Sequence, residues 1–146
     1  MKFPSKLKGC SGAVLDTMVL VYLFENHGGY GAVCEKLLQH AEDGDFTGVI
    51  TPVTLAELLV RPLQAGRGDL ADRYQSAIRH AANIRLCDFS WQTGRMAGAL
   101  RAKYGLPLPD MFQVACALEH GRVLVTNDMA MRKIEDVDVV FLDDMR

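Results

Sequence analysis

Short apolar runs alternate along the chain with longer stretches whose apolar residues recur at helical spacing. AVL (13–15), GVIT (48–51), IRLCDF (84–89), RVLVT (122–126) and VDVVFL (137–142) read as strands, most of them too short and too apolar for surface helices. Between them, YGAVCEKLLQHAEDG places Val33, Leu37, Leu38 and Ala41 on one helical face and ends at Gly44, a suitable helix stop. TLAELLVRPL, DLADRYQSAIRHAA, WQTGRMAGALRAKYG and MFQVACALEHG read as further helices. Strands that alternate with helices predict an α/β fold, a three-layer α/β/α sandwich around a central parallel sheet. RPLQAGRGD (61–69), with two glycines and Pro62, reads as the most flexible loop. No repeat or linker interrupts the pattern, so residues 1–146 are expected to form a single domain, with 1–11 as a loose lead-in.

Composition changes this picture little. Hydrophobic residues make up 49% and charged residues 23%, an ordinary globular balance that excludes disorder. The formal net charge is −2, so nucleic-acid binding would require basic side chains gathered on one face. The four cysteines, Cys10, Cys34, Cys87 and Cys116, contain no CxxC pair and lie largely in apolar patterns. They are expected as buried reduced thiols in a cytoplasmic protein, with neither a zinc site nor a disulfide framework. The start, MKFPSKLKGCSGAVLDTMVLVYLF, is basic and then apolar, but Asp16 interrupts the run and no small-x-small site follows it. No stretch reaches the roughly 18 apolar residues of a membrane span, so no membrane association is expected.

The acids carry the chemistry. Asp16 follows the first strand, Glu57 falls in the helix after GVIT, Asp110 opens the helix after YGLPLP, and Asp128 follows RVLVT. Ligand crevices of open parallel sheets lie beyond the carboxyl ends of the strands, where strand-to-helix junctions gather. Each acid also has a purely structural explanation. Asp16, Asp110 and Asp128 suit N-caps, and Thr54 with Glu57 fits a capping box. Several carboxylates on one edge repel one another unless a cation sits among them, and hard oxygen donors suit magnesium or manganese.

LDTMVLVYLF, TPVTLAELL, YGLPLPDMFQVACAL and LVTNDMAM, in this order and spacing, resemble the four conserved blocks of the PIN domain. The resemblance spans residues 13 to 142 and is nearest to small stand-alone ribonucleases typified by the VapC toxins. It implies a PIN-like fold and Mg2+- or Mn2+-dependent hydrolysis of RNA by an endoribonuclease. It also implies a cognate antitoxin and a homodimer. Carried over by position, Asp16, Glu57, Asp110 and Asp128 form the catalytic, metal-binding acidic set, with Thr17 and Thr126 beside it. Three features depart from the family pattern: MFQVACAL replaces an alanine-rich helix start, Met131 stands where an aromatic residue is common, and the lead-in is long.

A phosphodiester is an anion, so an acidic crevice binds it only after divalent ions reverse the local sign. Grip must then come from surrounding cations. Arg61 and Arg67 are the first candidates for RNA binding, ahead of Arg95, Arg101, Lys103, Arg132 and Lys133, each of which also suits a solvated face. The histidines His27, His40, His80 and His120 lie near helix ends, where the helix dipole favours them without any catalytic role. A dehalogenase-like phosphatase would need an acid at Met18, and a dinucleotide-binding fold would need GxGxxG after the first strand. The remaining alternative is a catalytically silent PIN-like or receiver-like module that uses the same edge to hold metal or a partner.

Overall fold

The computed structural model describes all 146 residues. Five strands, β1 (Ala13–Leu15), β2 (Gly48–Ile50), β3 (Ile84–Leu86), β4 (Val123–Thr126) and β5 (Asp138–Phe141), form one sheet in the order β3-β2-β1-β4-β5. Every pairing is parallel, with Ala13 level with Gly48 and Val123, and Gly48 level with Ile84. The helices are α1 (Thr17–Phe24), α2 (Gly31–Glu42), α3 (Pro52–Gln64), α4 (Gly68–His80), α5 (Trp91–Tyr104) and α6 (Leu108–Glu119). Two 3₁₀ turns, Met129–Lys133 and Leu142–Met145, follow β4 and β5.

Strand side chains alternate between two apolar layers, as the pleat requires. Ala13, Leu15, Ile50, Val123 and Val125 pack with Leu20, Leu37, Leu58 and Ile78 of α1 to α4. Val14, Val49 and Leu124 face the other way, onto Ala97, Leu100, Val114 and Cys116 of α5 and α6. The predicted three-layer sandwich is therefore the observed one. The central strands β1, β2 and β4 are buried throughout, which explains their unbroken apolar runs.

Two expectations are corrected. Residues 1–11 are not loose: Leu7 is fully buried, the Lys2 amide donates to the Met145 carbonyl, and the Gly9 amide donates to the Asp45 carbonyl. Leu7 enters the core and Phe3 and Cys10 pack against it, which is enough to dock the short segment. Residues 61–69 are not a long loop. Helix α3 runs through Pro62 to Gln64, and α4 starts at Gly68. Pro62 is buried, and its packing outweighs the helix bond it cannot donate.

Candidate metal centre

The order of the strands reverses direction between β1 and β4, and the crevice of such a sheet opens at that point. Asp16 leaves the end of β1 and Asp128 follows β4. Asp16, Glu57, Asp110 and Asp128, with Thr17, Met18, Val21 and Tyr22, line one crevice of about 330 Å³. A mostly apolar cleft of about 360 Å³, between β2, β3, α3 and α4, holds a single carboxylate, Asp88. Charge therefore singles out the first.

Asp16 caps α1 as expected: its Oδ1 accepts from the Thr17 amide at 2.9 Å. Its other oxygen accepts from the Thr126 hydroxyl at 2.7 Å, and Thr126 in turn accepts from the Asp128 amide at 3.1 Å. Thr126 thus ties the first acid to the loop that bears the last. Asp128 caps the 3₁₀ turn through the Ala130 amide at 3.0 Å. Both capping explanations hold here, and neither uses every carboxylate lone pair.

The other two capping readings fail. Asp110 is the third residue of α6, not its cap; Pro107 occupies the cap position with no side-chain bond, and Pro109 fits the first turn, where no amide is needed. The Asp110 carboxylate accepts no hydrogen bond within the protein. Glu57 lies in the second turn of α3, whose cap is Thr51. Instead of closing a capping box, Glu57 accepts from the Thr17 hydroxyl at 2.6 Å.

A buried network positions these groups, and sequence reasoning missed it. Gln113, one turn after Asp110 on α6, accepts from Thr51 Oγ1 at 2.6 Å and donates to Thr54 Oγ1 at 2.7 Å. Thr54 Oγ1 lies 3.5 Å from Thr17 Oγ1, which holds Glu57. One chain of polar groups therefore joins α6, α3 and α1 beneath the crevice. The available signal was a glutamine inside the apolar run MFQVACAL, since such a group must find partners if buried.

The electrostatics follow from burial without countercharge. No Lys, Arg or His side chain forms an ion pair with any of the four acids. Asp110 is pushed up to about 6, by burial first and then by the charges of Asp16, Asp128 and Glu57. Asp16 is also raised, because burial outweighs the bonds from Thr126 and Thr17. Such a set of hard oxygens, short of positive charge, fits a divalent cation of the magnesium or manganese kind.

Arg61 and Arg67 do not line the crevice. Arg61 donates to both Glu25 oxygens, at 2.9 and 3.2 Å, and Arg67 forms a two-point pair with Asp69 at 3.0 Å. Met111 points into the α5–α6 core and Met131 is buried with it, so both departures from the family pattern are packing residues. Phe112 stacks near Phe89, with ring centroids 4.9 Å apart.

Sequence reasoning also missed a second cluster. Cys87, Cys116 and His120 bring their ligand atoms within 4.8 Å of one another on the α5–α6 side. Its signal was the C-x-x-x-H spacing at 116 and 120, which puts both residues on one helical face.

Fold and crevice together define a three-layer α/β protein with an acidic centre at the carboxyl edge of its sheet. The chain belongs to the PIN domain family, whose profile matches residues 13–137. Among curated proteins no sequence match is found. Several solved structures share the fold. VapBC2 from Rickettsia felis, bound to a DNA fragment from its promoter, superposes with a TM-score of 0.71 at 19% identity, covering 89% of this chain and 98% of that one. A toxin–antitoxin complex from Klebsiella pneumoniae gives 0.70 at 23% identity, covering 89% and 97%. Mycobacterium tuberculosis VapC20, a toxin that cleaves the sarcin–ricin loop, gives 0.66 at 13% identity, covering 86% and 98%. No helix is long and apolar enough to cross a membrane.

Proposed function

We propose that this protein is a divalent-metal-dependent endoribonuclease, the toxin of a toxin–antitoxin pair, acting as a single domain in the cytoplasm. The observation that carries the reading is the crevice itself: four carboxylates on three helices and one turn, with Asp110 raised by burial and by the charges of the other three, and no cation of the protein among them. Membership of the PIN family and the likeness to toxin–antitoxin structures support the substrate class and the antitoxin partner. Four free cysteines suit a reducing compartment. A homodimer belongs to the same proposal.

Asp16 and Asp110 would be the principal ligands of Mg2+ or Mn2+, with Asp128 and Glu57 completing the set. A bound divalent ion supplies charge neutralisation, polarises a phosphoryl oxygen and lowers the pKa of water. The protein's own residues do the rest. Thr126 fixes the Asp16 carboxylate so that its free lone pairs face the crevice. Thr17 holds Glu57 through one oxygen, leaving the other to orient an attacking water and take its proton. Met18, Val21 and Tyr22 form one wall of the crevice beside the acids. Arg61, one turn beyond Glu57 on the same face of α3, is placed to contact the RNA backbone if it leaves Glu25; Arg67, past the end of α3 at the cap position of α4, is held by Asp69.

Incubation of single-stranded RNA with pure protein tests the reading. Cleavage is expected with manganese, none in EDTA, and a loss of at least 100-fold in Asp16→Ala with circular dichroism unchanged, the scale of removing a group essential to the chemistry (about 2.7 kcal/mol). Undiminished cleavage by folded Asp16→Ala would overturn the assignment. Manganese-induced stabilisation without cleavage of any RNA would favour the silent binding module instead.

A further inference from the structure

We propose that Cys87, Cys116 and His120 form a second metal site, built for a thiophilic divalent cation of zinc's chemistry and separate from the acidic crevice. Cys116 and His120 lie four residues apart at the end of α6, and Cys87 leaves the end of β3. The two sulfurs are 3.4 Å apart, and Cys87 Sγ is 3.1 Å from His120 Nε2. Tetrahedral zinc, about 2.3 Å from sulfur and about 2.0–2.1 Å from nitrogen, sets such pairs about 3.8 and about 3.6 Å apart. Each of these two pairs therefore needs to open by only about 0.5 Å, and the third, Cys116 with His120, lies within 4.8 Å. Two thiols and an imidazole are the donors that soft and borderline cations prefer, whereas the crevice offers hard oxygens alone.

Access is also present. Cys87 is half-buried and lines the cleft of about 360 Å³ together with Ile50, Thr51, Arg79 and Asp88. A cation can enter from that side, and solvent there can fill a fourth position beside the three protein ligands.

In the metal-free protein the trio is a closed hydrogen-bonded group. The Cys116 thiol donates to Cys87, and Cys87 donates to the Asp88 carbonyl at 3.2 Å. The Arg85 guanidinium lies 3.3 Å from His120 Nδ1, so the ring proton sits on Nε2, facing Cys87. Burial pushes the Cys116 thiol well above its usual range, which keeps it protonated and inert. A dication reverses that preference. On binding, both thiol protons leave to solvent, the imidazole proton passes from Nε2 to Nδ1, and the exposed Arg85 turns away. Two metal–sulfur bonds and one metal–nitrogen bond form, and nothing is oxidised or reduced. The ion would clamp the end of β3 to α6, the helix that carries Asp110 two turns earlier, so its structural consequence reaches the crevice through one rigid element.

The test is a cobalt titration of the full-length reduced protein in metal-free buffer. One equivalent of Co2+ is expected to give thiolate-to-cobalt absorption and intense visible bands, both erased by added Zn2+ and untouched by excess Mg2+. The bands should persist in Asp16→Asn/Asp110→Asn, which disables the crevice, so the outcome is independent of the nuclease reading. Cys87→Ser and His120→Gln, at half-buried positions that tolerate the change, should lose at least ten-fold in cobalt affinity; Cys116→Ser adds a third arm if it folds. Bands of equal strength in Cys87→Ser and wild type would overturn the site. So would a folded, reduced protein that gives no bands but loses two titratable thiols to hydrogen peroxide, because the cysteines would then be a disulfide-forming pair.

Discussion

Asp110 shows how position within one helical turn decides what a residue does. A carboxylate at the cap position is neutralised in part by the amides that donate to it; three residues further on, it has none and faces other acids. The folded, metal-free protein therefore keeps a proton on Asp110 up to about pH 6, while the unfolded chain releases it near 3.8. Because the native state binds more protons over that interval, this group's stabilisation is full below 3.8 and is lost as pH rises through about 6. Melting curves in EDTA should show the wild-type Tm falling across that window and Asp110→Asn losing less, the difference being on the order of 1 kcal/mol after allowance for solvent screening of a half-buried group. At neutral pH the Asn variant should melt higher than wild type without metal, yet gain less from manganese. Equal manganese shifts in the two proteins would remove Asp110 from the metal centre. Gln113 acts differently, by holding rather than by charge. Gln113→Leu leaves Thr51 and Thr54 buried without their partner and should cost about 1–3 kcal/mol, read from denaturant midpoints.

The placement of α6 depends on how α5 ends. Gly105 stops α5 in the left-handed conformation, with φ 71°, and its amide bonds the Arg101 carbonyl. Nothing lies near a Cβ built there, so Gly105→Ala meets no clash and tests backbone strain alone. It should cost roughly 1–2 kcal/mol and, by shifting the start of α6, lower cleavage more than binding. A neutral effect on stability would show that α6 is positioned by its core contacts instead. Elements also explain what was legible in the sequence. All five strands and the helices around them could be read because each buries a face of fixed period; Asp16 and Asp128 fell where strands end and Glu57 in the helix after one, whereas Asp110 follows a helix-to-helix loop and only the fold brings it to the same edge. The boundary at Pro109 was misread because proline both discourages a preceding helix and suits a first turn, and only packing chooses between them. The loop at 61–69 was misread for a related reason: burial of Pro62 overrode its helix-breaking character. On the surface of α3, Arg61→Ala should flatten the salt dependence of RNA binding by about 0.7 in log–log slope, one phosphate contact on a single strand. Arg67→Ala should change that slope less, because Arg67 lies past the end of α3 and its side chain is less exposed than that of Arg61.

Across the whole molecule the chain's two ends meet. The Lys2 amide bonds the Met145 carbonyl, and Leu7 and Met145 are both fully buried in the layer formed by α1 and α2. That same layer carries Val19 and Leu20 of α1, the helix that Asp16 caps. The signal was slight, since Phe3, Leu7 and Cys10 are separated by lysines, Pro4 and Gly9, which disfavour a regular element; the docking is set by tertiary closure. The Cys87–Cys116–His120 trio was hidden for the same reason, its members being 29 and 4 residues apart and joined only by the fold. The ends make a direct test of how far the structure extends. Leu7→Ala removes a fully buried side chain and should cost about 2–5 kcal/mol. A loose lead-in would register no change. Lys8→Ala, at an exposed neighbouring position, serves as the control and should stay within about 0.5 kcal/mol. Urea midpoints of the three proteins in EDTA decide the matter, because without metal the crevice contributes no binding energy that could mask the loss. Coincident midpoints for Leu7→Ala and wild type would detach residues 1–11 from the fold.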